Sequence, residues 1–116
     1  PVLVGNPDLV APREDGLSIE PGFYAHEIAD LTGCTPEFYG KPFSNVFDLV
    51  RERIGPGVPP HRIAMVGDTP HTDILGGANM GWQTVLVLDH GLLKGIQAGS
   101  LDRLSDIRPN FVADTT

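Results

Sequence analysis

The 116-residue sequence lacks several features that mark particular classes of protein, and each absence excludes one of them. It has a single cysteine, Cys34, which excludes an internal disulfide framework and a cysteine-based zinc site. Its longest apolar runs, at 63–66 and 85–88, are far shorter than the roughly 20 residues that a membrane-spanning helix needs. The chain carries 8 Lys and Arg against 15 Asp and Glu, and the net charge of −7 disfavours nucleic acid as a partner. We therefore predict a cytoplasmic protein with neither a membrane nor a nucleic-acid partner.

The composition that remains is that of a small folded domain. Apolar residues make up 41% of the chain and charged residues 20%, a balance that argues against disorder. The 14 Gly and 11 Pro residues are spread along the chain and separate short apolar runs. This spacing is typical of short strands and helices joined by tight turns.

The order of the apolar runs predicts the fold class. Helical spacing and end signals predict four helices, at 21–31, 44–54 with Ser44 as the N-cap, 72–80 and 94–104. Continuous apolar runs predict five strands, at 1–5, 37–39, 63–66, 84–88 and 111–112. Residues 11–16 are polar and are expected to form a loop. Because the strands are apolar on both faces and alternate with helices, we predict an α/β fold, a partial Rossmann-like parallel sheet flanked by helices.

Polar residues follow four of the predicted strands, at 6–8, 40–42, 67–73 and 89–91. In open parallel sheets, ligands bind beyond the carboxyl ends of the strands. These four segments are therefore expected to meet at one edge of the sheet, and any chemistry should lie there.

Two carboxylates in the third segment form a candidate metal site. Asp68 directly follows a predicted buried strand, and Asp73 lies five residues later at the start of a helix. Two carboxylates brought together repel each other unless a cation or a proton lies between them, and Mg²⁺ prefers such oxygen ligands. The spacing equally allows an ordinary turn residue at Asp68 and a helix N-terminal charge at Asp73.

Lys41 is the candidate phosphate ligand. Pro42 disfavours a helical conformation at Lys41, so the lysine is expected at the end of a strand. At about 4 Å, an ammonium and a phosphate charge attract each other by about 4 kcal/mol at an effective dielectric constant of 20. An ordinary surface lysine is the alternative.

Four segments together resemble the haloacid dehalogenase (HAD) superfamily of phosphatases. They are the Asn-Pro-Asp of 6–8, the Gly-Lys-Pro of 40–42, the VGDTPHTDI of 66–74 and the apolar run of 81–88. The likeness is to the nitrophenylphosphatase and nucleotide-monophosphatase subgroup, in which an α/β cap is inserted within the core. The resemblance implies a HAD-like version of the fold and Mg²⁺-dependent hydrolysis of a small phosphorylated metabolite.

The resemblance also implies residue roles. Lys41 matches the lysine that steadies the nucleophile and the transferring phosphoryl group. Asp68 matches the direct Mg²⁺ ligand, and Asp73 matches the second acidic residue, which holds a metal-bound water or the ion itself.

Four further residues are expected near the site on the same basis, with less defined roles. Asn6 and Asp8 match the segment that returns from the cap to the core. Thr69 and His71 lie in the motif loop, from which they could reach the substrate.

One departure from the family pattern is serious. The family attacks phosphate with an aspartate from an Asp-x-Asp-Gly-Thr motif on its first strand, and no Asp-x-Asp occurs among the 116 residues. Glu14-Asp15-Gly16 is only superficially similar, because no buried strand precedes it. The chain also starts at Pro1 inside an apolar run. We therefore expect residues 1–116 to be the C-terminal part of a HAD-like core domain that lacks the nucleophile strand and most of the cap.

Two functional hypotheses follow. In the first, an intact parent protein hydrolyses phosphomonoesters through an aspartyl-phosphate, and this chain alone is inactive. In the second, the chain is a non-catalytic module that binds a phosphate-bearing ligand or a partner. In either case an exposed sheet edge favours pairing with a second copy or with the missing N-terminal half.

Overall fold

The computed structural model describes residues 1–103 and 105–115. Its strands are β1 (Leu3–Val4), β2 (Val10–Arg13), β3 (Gly16–Ile19), β4 (Glu37–Phe38), β5 (Ala64–Gly67), β6 (Gln83–Val87) and β7 (Phe111–Ala113). Its α-helices are α1 (Pro21–Thr32), α2 (Ser44–Ile54) and α3 (Leu75–Asn79). Shorter helical turns lie at Pro60–Arg62, Pro70–Ile74, Gly91–Leu93 and Ala98–Arg103. No helix in the described part of the chain is long and apolar enough to cross a bilayer.

The strands form three hydrogen-bonded groups. β5, β6 and β7 make a parallel sheet with β6 in the centre. β1 and β4 make a second parallel pair, in which Leu3 faces Glu37 and Val4 faces Phe38. β2 and β3 make an antiparallel hairpin. The prediction of an α/β fold with parallel strands and flanking helices is confirmed.

The hairpin is where the sequence prediction was wrong. Residues 11–16 were expected to form a polar loop, but only Glu14 and Asp15 form a turn. Residues 11–13 belong to β2 and Gly16 begins β3, and the two strands pair from Val10 opposite Ile19 to Arg13 opposite Gly16. Most side chains of both strands are exposed. Because neither strand buries one face, the alternation of apolar and polar residues that marks a strand is absent.

The helix predicted at 94–104 is also wrong over its described part. The chain forms 3₁₀ turns at Gly91–Leu93 and Ala98–Arg103 instead. Gly95 has a φ of +84°, which an α-helix cannot accommodate. Leu104, the predicted last residue, lies outside the described residues.

Helix α1 ends at Gly33, as predicted, but it packs through a different face from the one its apolar stripe suggests. Phe23, Ile28 and Leu31 share the stripe and are exposed, Leu31 by 79%. The buried residues are Gly22 and Ala25. A Cβ atom on Gly22 would lie 2.0 Å from the carbonyl oxygen of Pro7, so only glycine permits this approach.

Strand β5 is less buried than its apolar run predicted. Val66 is 48% exposed, and exposed residues alternate with partly buried ones along the strand, so only one of its faces is covered. In the described part of the chain, β5 pairs with β6 alone and leaves its other edge free. Continuous apolar character therefore predicted the strand but overestimated its burial, whereas the central strand β6 is largely buried.

Two small apolar clusters hold the loop that follows β5. One contains Phe47 of α2 with Ile63 and Trp82, and the other contains Ile74, Leu86 and Leu88. The Phe47 ring lies so close to Gly76 of α3 that a Cβ atom there would be 2.2 Å from the ring. This contact seats α3 against α2 and so positions the residues that precede α3.

Candidate active site

An ion pair between Lys41 and Asp73 lies at the centre of the site. Lys41 Nζ donates to Asp73 Oδ1 at 2.5 Å, although the two residues are 32 positions apart. The Asp73 side chain is 3% exposed and that of Lys41 is 47% exposed. The buried carboxylate thus fixes one side of the ammonium group, and the other side faces solvent.

The loop after β5 wraps around Asp73. The second carboxylate oxygen, Oδ2, accepts a hydrogen bond from the backbone N–H of Thr69 at 3.2 Å. The backbone N–H groups of Asp73 and Ile74 both donate to the carbonyl of Thr69, which closes a wide π-helical turn. A Cβ atom on Gly67 would lie 2.3 Å from the Asp73 carboxyl, so glycine is required there. Both oxygens of Asp73 are therefore engaged within the protein.

Asp68 has a different environment. Its Oδ1 atom accepts a hydrogen bond from the Thr69 hydroxyl at 3.2 Å, and its carboxyl packs against Gly91. It lines a hollow of about 200 Å³ together with Lys41 and Asp8. Thr69 therefore contacts both acidic residues, one through its hydroxyl and the other through its N–H. Of the four segments predicted to meet at one edge, 6–8, 40–42 and 67–73 contribute residues to this hollow, and Gly91 of segment 89–91 contacts Asp68.

The end of β4 presents Lys41 to this hollow. Asn45 accepts a hydrogen bond from the Gly40 N–H at 3.1 Å and donates to the carbonyl of Phe38 at 3.2 Å. The Lys41–Pro42 peptide bond is cis. Helix α2 starts at Ser44, but the predicted side-chain cap is wrong: Phe43 occupies the N-cap position and no side chain caps the helix there.

Tyr39, which follows β4, has a perturbed pKa. Tyr39 donates a hydrogen bond to Glu37 at 3.0 Å. This bond, together with the negative charge of Glu37 and a small loss of solvation, raises the pKa of the Tyr39 phenol. Because its pKa is raised, the exposed Tyr39 phenol stays neutral.

Asn6 and Asp8, both expected near the site, take different positions: Asp8 lines the hollow with Asp68, and Asn6 lines a separate hollow beside Lys41. Asn6 accepts a hydrogen bond from the Asp8 N–H at 3.0 Å, which shapes the turn, and its amide donates to Glu20 at 3.4 Å. Glu20 also accepts from Arg13 at 2.8 Å, which ties the hairpin to the same turn. Asp8 lines the hollow beside Lys41.

The hairpin contributes a wall that the sequence prediction missed. Residues 10–12 of β2 line the hollow that holds Asp68. The only signal in the sequence was the Glu-Asp-Gly turn at 14–16, which is typical of hairpins but was assigned to a loop.

A larger cavity, of about 440 Å³, opens beside Lys41. His71 and Thr69, both predicted near the site, line it, as does Thr72, which was not singled out. Thr72 occupies the first turn after Pro70 and has no distinguishing spacing in the sequence. The π-helical turn of Pro70–Ile74 is what places Thr72 at the cavity.

The residues present fit a hard cation held mainly by Asp68. Its carboxylate lines the hollow and, among the residues that the structure describes, accepts a hydrogen bond only from the Thr69 hydroxyl, so it has lone pairs to offer. Asp73 has both oxygens occupied by Lys41 and the Thr69 N–H. Among the described residues, no group of three His, Cys, Asp or Glu side chains is arranged to hold a metal. Mg²⁺ keeps several waters and takes ligands from substrate phosphates, so one protein carboxylate is compatible with it.

Gly91 is predicted to be essential for the position of Asp68. A Cβ atom there would lie 1.7 Å from Asp68 Oδ2, and the residue has a φ of +68°. We expect Gly91→Ala to displace the carboxylate and to weaken Mg²⁺ binding, measured by isothermal titration calorimetry, by about tenfold or more. Gly95→Ala is the matched control, because Gly95 has a φ of +84° and no atom within 4 Å of its Cβ position. Equal Mg²⁺ affinity in the two variants would contradict the steric argument.

Comparison with known proteins shows the family to which the sequence belongs. The sequence model of the HAD-hydrolase-like family matches residues 38–116. An acid sugar phosphatase from Staphylococcus aureus (strain USA300) is 37% identical over 82 residues, which cover 71% of this chain and 31% of that protein. The chain therefore spans about a third of the length of that curated relative.

Solved structures lead to the same family. The p-nitrophenyl phosphatase from Archaeoglobus fulgidus superposes with a TM-score of 0.79 at 26% identity, over 97% of this chain and 42% of that one. The 4-nitrophenylphosphatase from Thermotoga maritima gives a TM-score of 0.78 at 32% identity, over 97% of this chain and 41% of that one. The resemblance inferred from the motifs is confirmed, and the chain belongs to the HAD-hydrolase-like family.

Proposed function

We propose that this chain forms the phosphate-binding and metal-binding part of a Mg²⁺-dependent phosphomonoesterase. The observation that carries the proposal is the Lys41–Asp73 ion pair, whose lysine lines one hollow together with Asp68. In the proposed protein, a small phosphorylated metabolite is hydrolysed through an aspartyl-phosphate. The similarity to an acid sugar phosphatase from Staphylococcus aureus and to two nitrophenyl phosphatases of known structure supports a hydrolase of this class.

In this proposal Lys41 neutralises the phosphoryl group. Its ammonium group has three N–H donors, and one is directed to Asp73. The Lys41 side chain is 47% exposed, so its other two N–H donors can reach phosphate oxygens. Because Asp73 holds the lysine in place before the substrate arrives, charge stabilisation needs little reorganisation.

Asp68 would hold the magnesium ion, with Asp8 across the hollow as a neighbouring carboxylate. The ion would supply Lewis-acid stabilisation of charge on the phosphoryl oxygens. Asp68 is oriented by the Thr69 hydroxyl and by its contact with Gly91. The assignment of a metal-linked role to Asp73 stays a prediction, and the geometry favours its role as the anchor of Lys41.

The nucleophile would come from a segment outside these 116 residues. Phosphoryl transfer to a carboxylate needs an aspartate in line with the phosphorus, and the chain contains no Asp-x-Asp. The free edge of β5 offers a place for a further strand next to Asp68, with Val66 exposed there. We therefore propose that residues 1–116 are the C-terminal part of a HAD-like domain, completed by an N-terminal segment of the same, cytoplasmic parent protein. Pairing of β5 with a second copy of the chain is the alternative association.

The test is Mg²⁺-dependent hydrolysis by the parent protein, meaning the chain joined to its N-terminal segment. We expect turnover of a simple phosphomonoester such as phenyl phosphate, abolished by EDTA and restored by MgCl₂. The 116-residue chain by itself should show none. A parent protein whose N-terminal segment encodes no apolar strand followed by Asp-x-Asp, and which has no turnover with Mg²⁺, would contradict the proposal.

A second candidate function rests on the missing Asp-x-Asp. If no nucleophile joins the site, Lys41 and the neighbouring N–H groups would bind a phosphate-bearing ligand or a partner without cleaving it. Binding of inorganic phosphate together with an absence of hydrolysis in the parent protein would favour this module over the enzyme.

A further inference from the structure

We propose that Phe43 and the rings stacked behind it select phosphomonoesters whose leaving group carries a planar ring. This inference rests on the proposed function, because it concerns the part of the substrate that lies next to the phosphoryl group. It identifies specificity-determining residues that line the cavity beside Lys41.

Three rings from different parts of the chain form a continuous stack. His26 of α1 lies against Phe38 of β4, with ring centroids 5.1 Å apart and planes 28° apart. Phe38 lies against Phe43, with centroids 5.5 Å apart and planes 7° apart. Phe38 is thus covered on both sides, whereas Phe43 ends the stack and is 41% exposed.

The stack faces the same cavity as the phosphate ligand. The cavity of about 440 Å³ is lined by Lys41, by all three rings, and by Pro42, Leu9 and Val10. Phe43 follows Lys41 by two residues, and the rigid Pro42 lies between them. A phosphate held by Lys41 would therefore have its ester group next to the exposed ring.

The chemistry of this wall favours a flat, apolar group. Aromatic rings attract one another in offset-stacked arrangements, and Phe43 already adopts one with Phe38. A sugar placed there would turn hydroxyl groups toward rings, proline and aliphatic side chains, which offer no hydrogen bonds in place of water. Polar groups do line the cavity elsewhere, at Asp8, Thr69, His71 and Thr72, so the preference depends on the ester group reaching the stack.

The experiment compares three substrates in the parent protein with Mg²⁺: phenyl phosphate, a nucleoside 5′-monophosphate and glucose 6-phosphate. We expect Phe43→Leu to lower the ratio of kcat/KM for phenyl phosphate to that for glucose 6-phosphate by about fivefold, mostly through KM. Phe43→Tyr keeps an aromatic ring and should keep the wild-type ratio. Phe111→Leu, at an exposed ring of β7, is the matched control and should leave the ratio unchanged. If Phe43→Leu also lowers kcat/KM for the nucleotide, the nucleobase reaches Phe43. If only phenyl phosphate is affected, the ring must be attached directly to the phosphate.

A binding measurement separates this inference from the proposed function. Phenylphosphonate and methylphosphonate resist hydrolysis, so calorimetric titration reports binding even if the protein proves inactive. Tighter binding of phenylphosphonate that is lost in Phe43→Leu would support the ring wall, whatever the outcome for catalysis. Equal binding of both phosphonates, or an unchanged substrate ratio in Phe43→Leu, would overturn it.

Discussion

Replacing Lys41 with methionine is expected to lower kcat of the parent protein by about a hundredfold to a thousandfold, the range seen when one preorganised charge-stabilising donor is removed. Methionine keeps most of the length of the lysine side chain but has no ammonium group to stabilise the transferring phosphoryl group. Initial rates with saturating phenyl phosphate and Mg²⁺ measure the effect.

A structural role of Lys41 has to be separated from a catalytic one, because the substitution also leaves the buried Asp73 carboxylate without its cation. Losing one partner of a buried ion pair destabilises a protein, whereas replacing both partners can be nearly neutral. Lys41→Met combined with Asp73→Asn should therefore regain thermal stability without regaining activity. If the double variant recovered turnover together with its melting temperature, the lysine would be a structural residue only.

Lys94→Met is the matched control. Lys94 is the only other lysine in the chain, and it is exposed in the turn after Gly91–Leu93. Its replacement changes the net charge by the same amount, and Lys94 does not line the hollow that contains Lys41 and Asp68. A similar loss of kcat in both variants would indicate a long-range effect of charge instead of a contact with phosphate.

Asp68→Asn is expected to abolish most Mg²⁺-dependent activity, again by about a hundredfold or more, because the ion contributes several kcal/mol of charge stabilisation. Asparagine keeps the shape of the side chain and can still accept the Thr69 hydroxyl, so the hollow should stay intact. The missing negative charge would weaken the hold on a hard cation. The measurement is the dependence of initial rate on MgCl₂ concentration, together with calorimetric titration of Mg²⁺.

Asp89→Asn serves as the control for this second variant. Asp89 follows β6 as Asp68 follows β5, and it is exposed. It does not line the hollow that contains Asp68. We expect wild-type Mg²⁺ dependence in this variant. An unchanged MgCl₂ dependence in Asp68→Asn would show that the metal is held elsewhere or that the reaction does not use one.

Local sequence features were reliable guides where one residue or one short run decides the structure. Gly33 was predicted to end α1, and it does so with a φ of +71°. The apolar run after Gly81 predicted β6, the most buried strand. The Gly-Lys-Pro and Gly-Asp-Thr segments predicted the residues that meet at the hollow, because strand ends in parallel sheets share one edge.

Burial was harder to predict than secondary structure. The apolar stripe of α1 suggested an inward face, yet Gly22 and Ala25 are buried and Leu31 is exposed. Hydrophobicity measures the gain from burial, but close backbone approach depends on the lack of side-chain atoms, as at Gly22 against Pro7. The β2–β3 hairpin was missed for a related reason: its pairing is made by backbone hydrogen bonds and leaves most side chains in solvent.

The order of residues along this chain was enough to assign its family, its parallel strands and the three charged side chains of the candidate site, because each depends on a short motif or on strand polarity. Which of these side chains contact each other could be read only from the tertiary structure. That Asp73 binds Lys41 with one oxygen and the Thr69 N–H with the other, while Asp68 faces the hollow, depends on a π-helical turn and on contacts between residues up to 32 positions apart. No local pattern encodes such contacts, since they arise only when α3 packs against α2 and brings separate segments together.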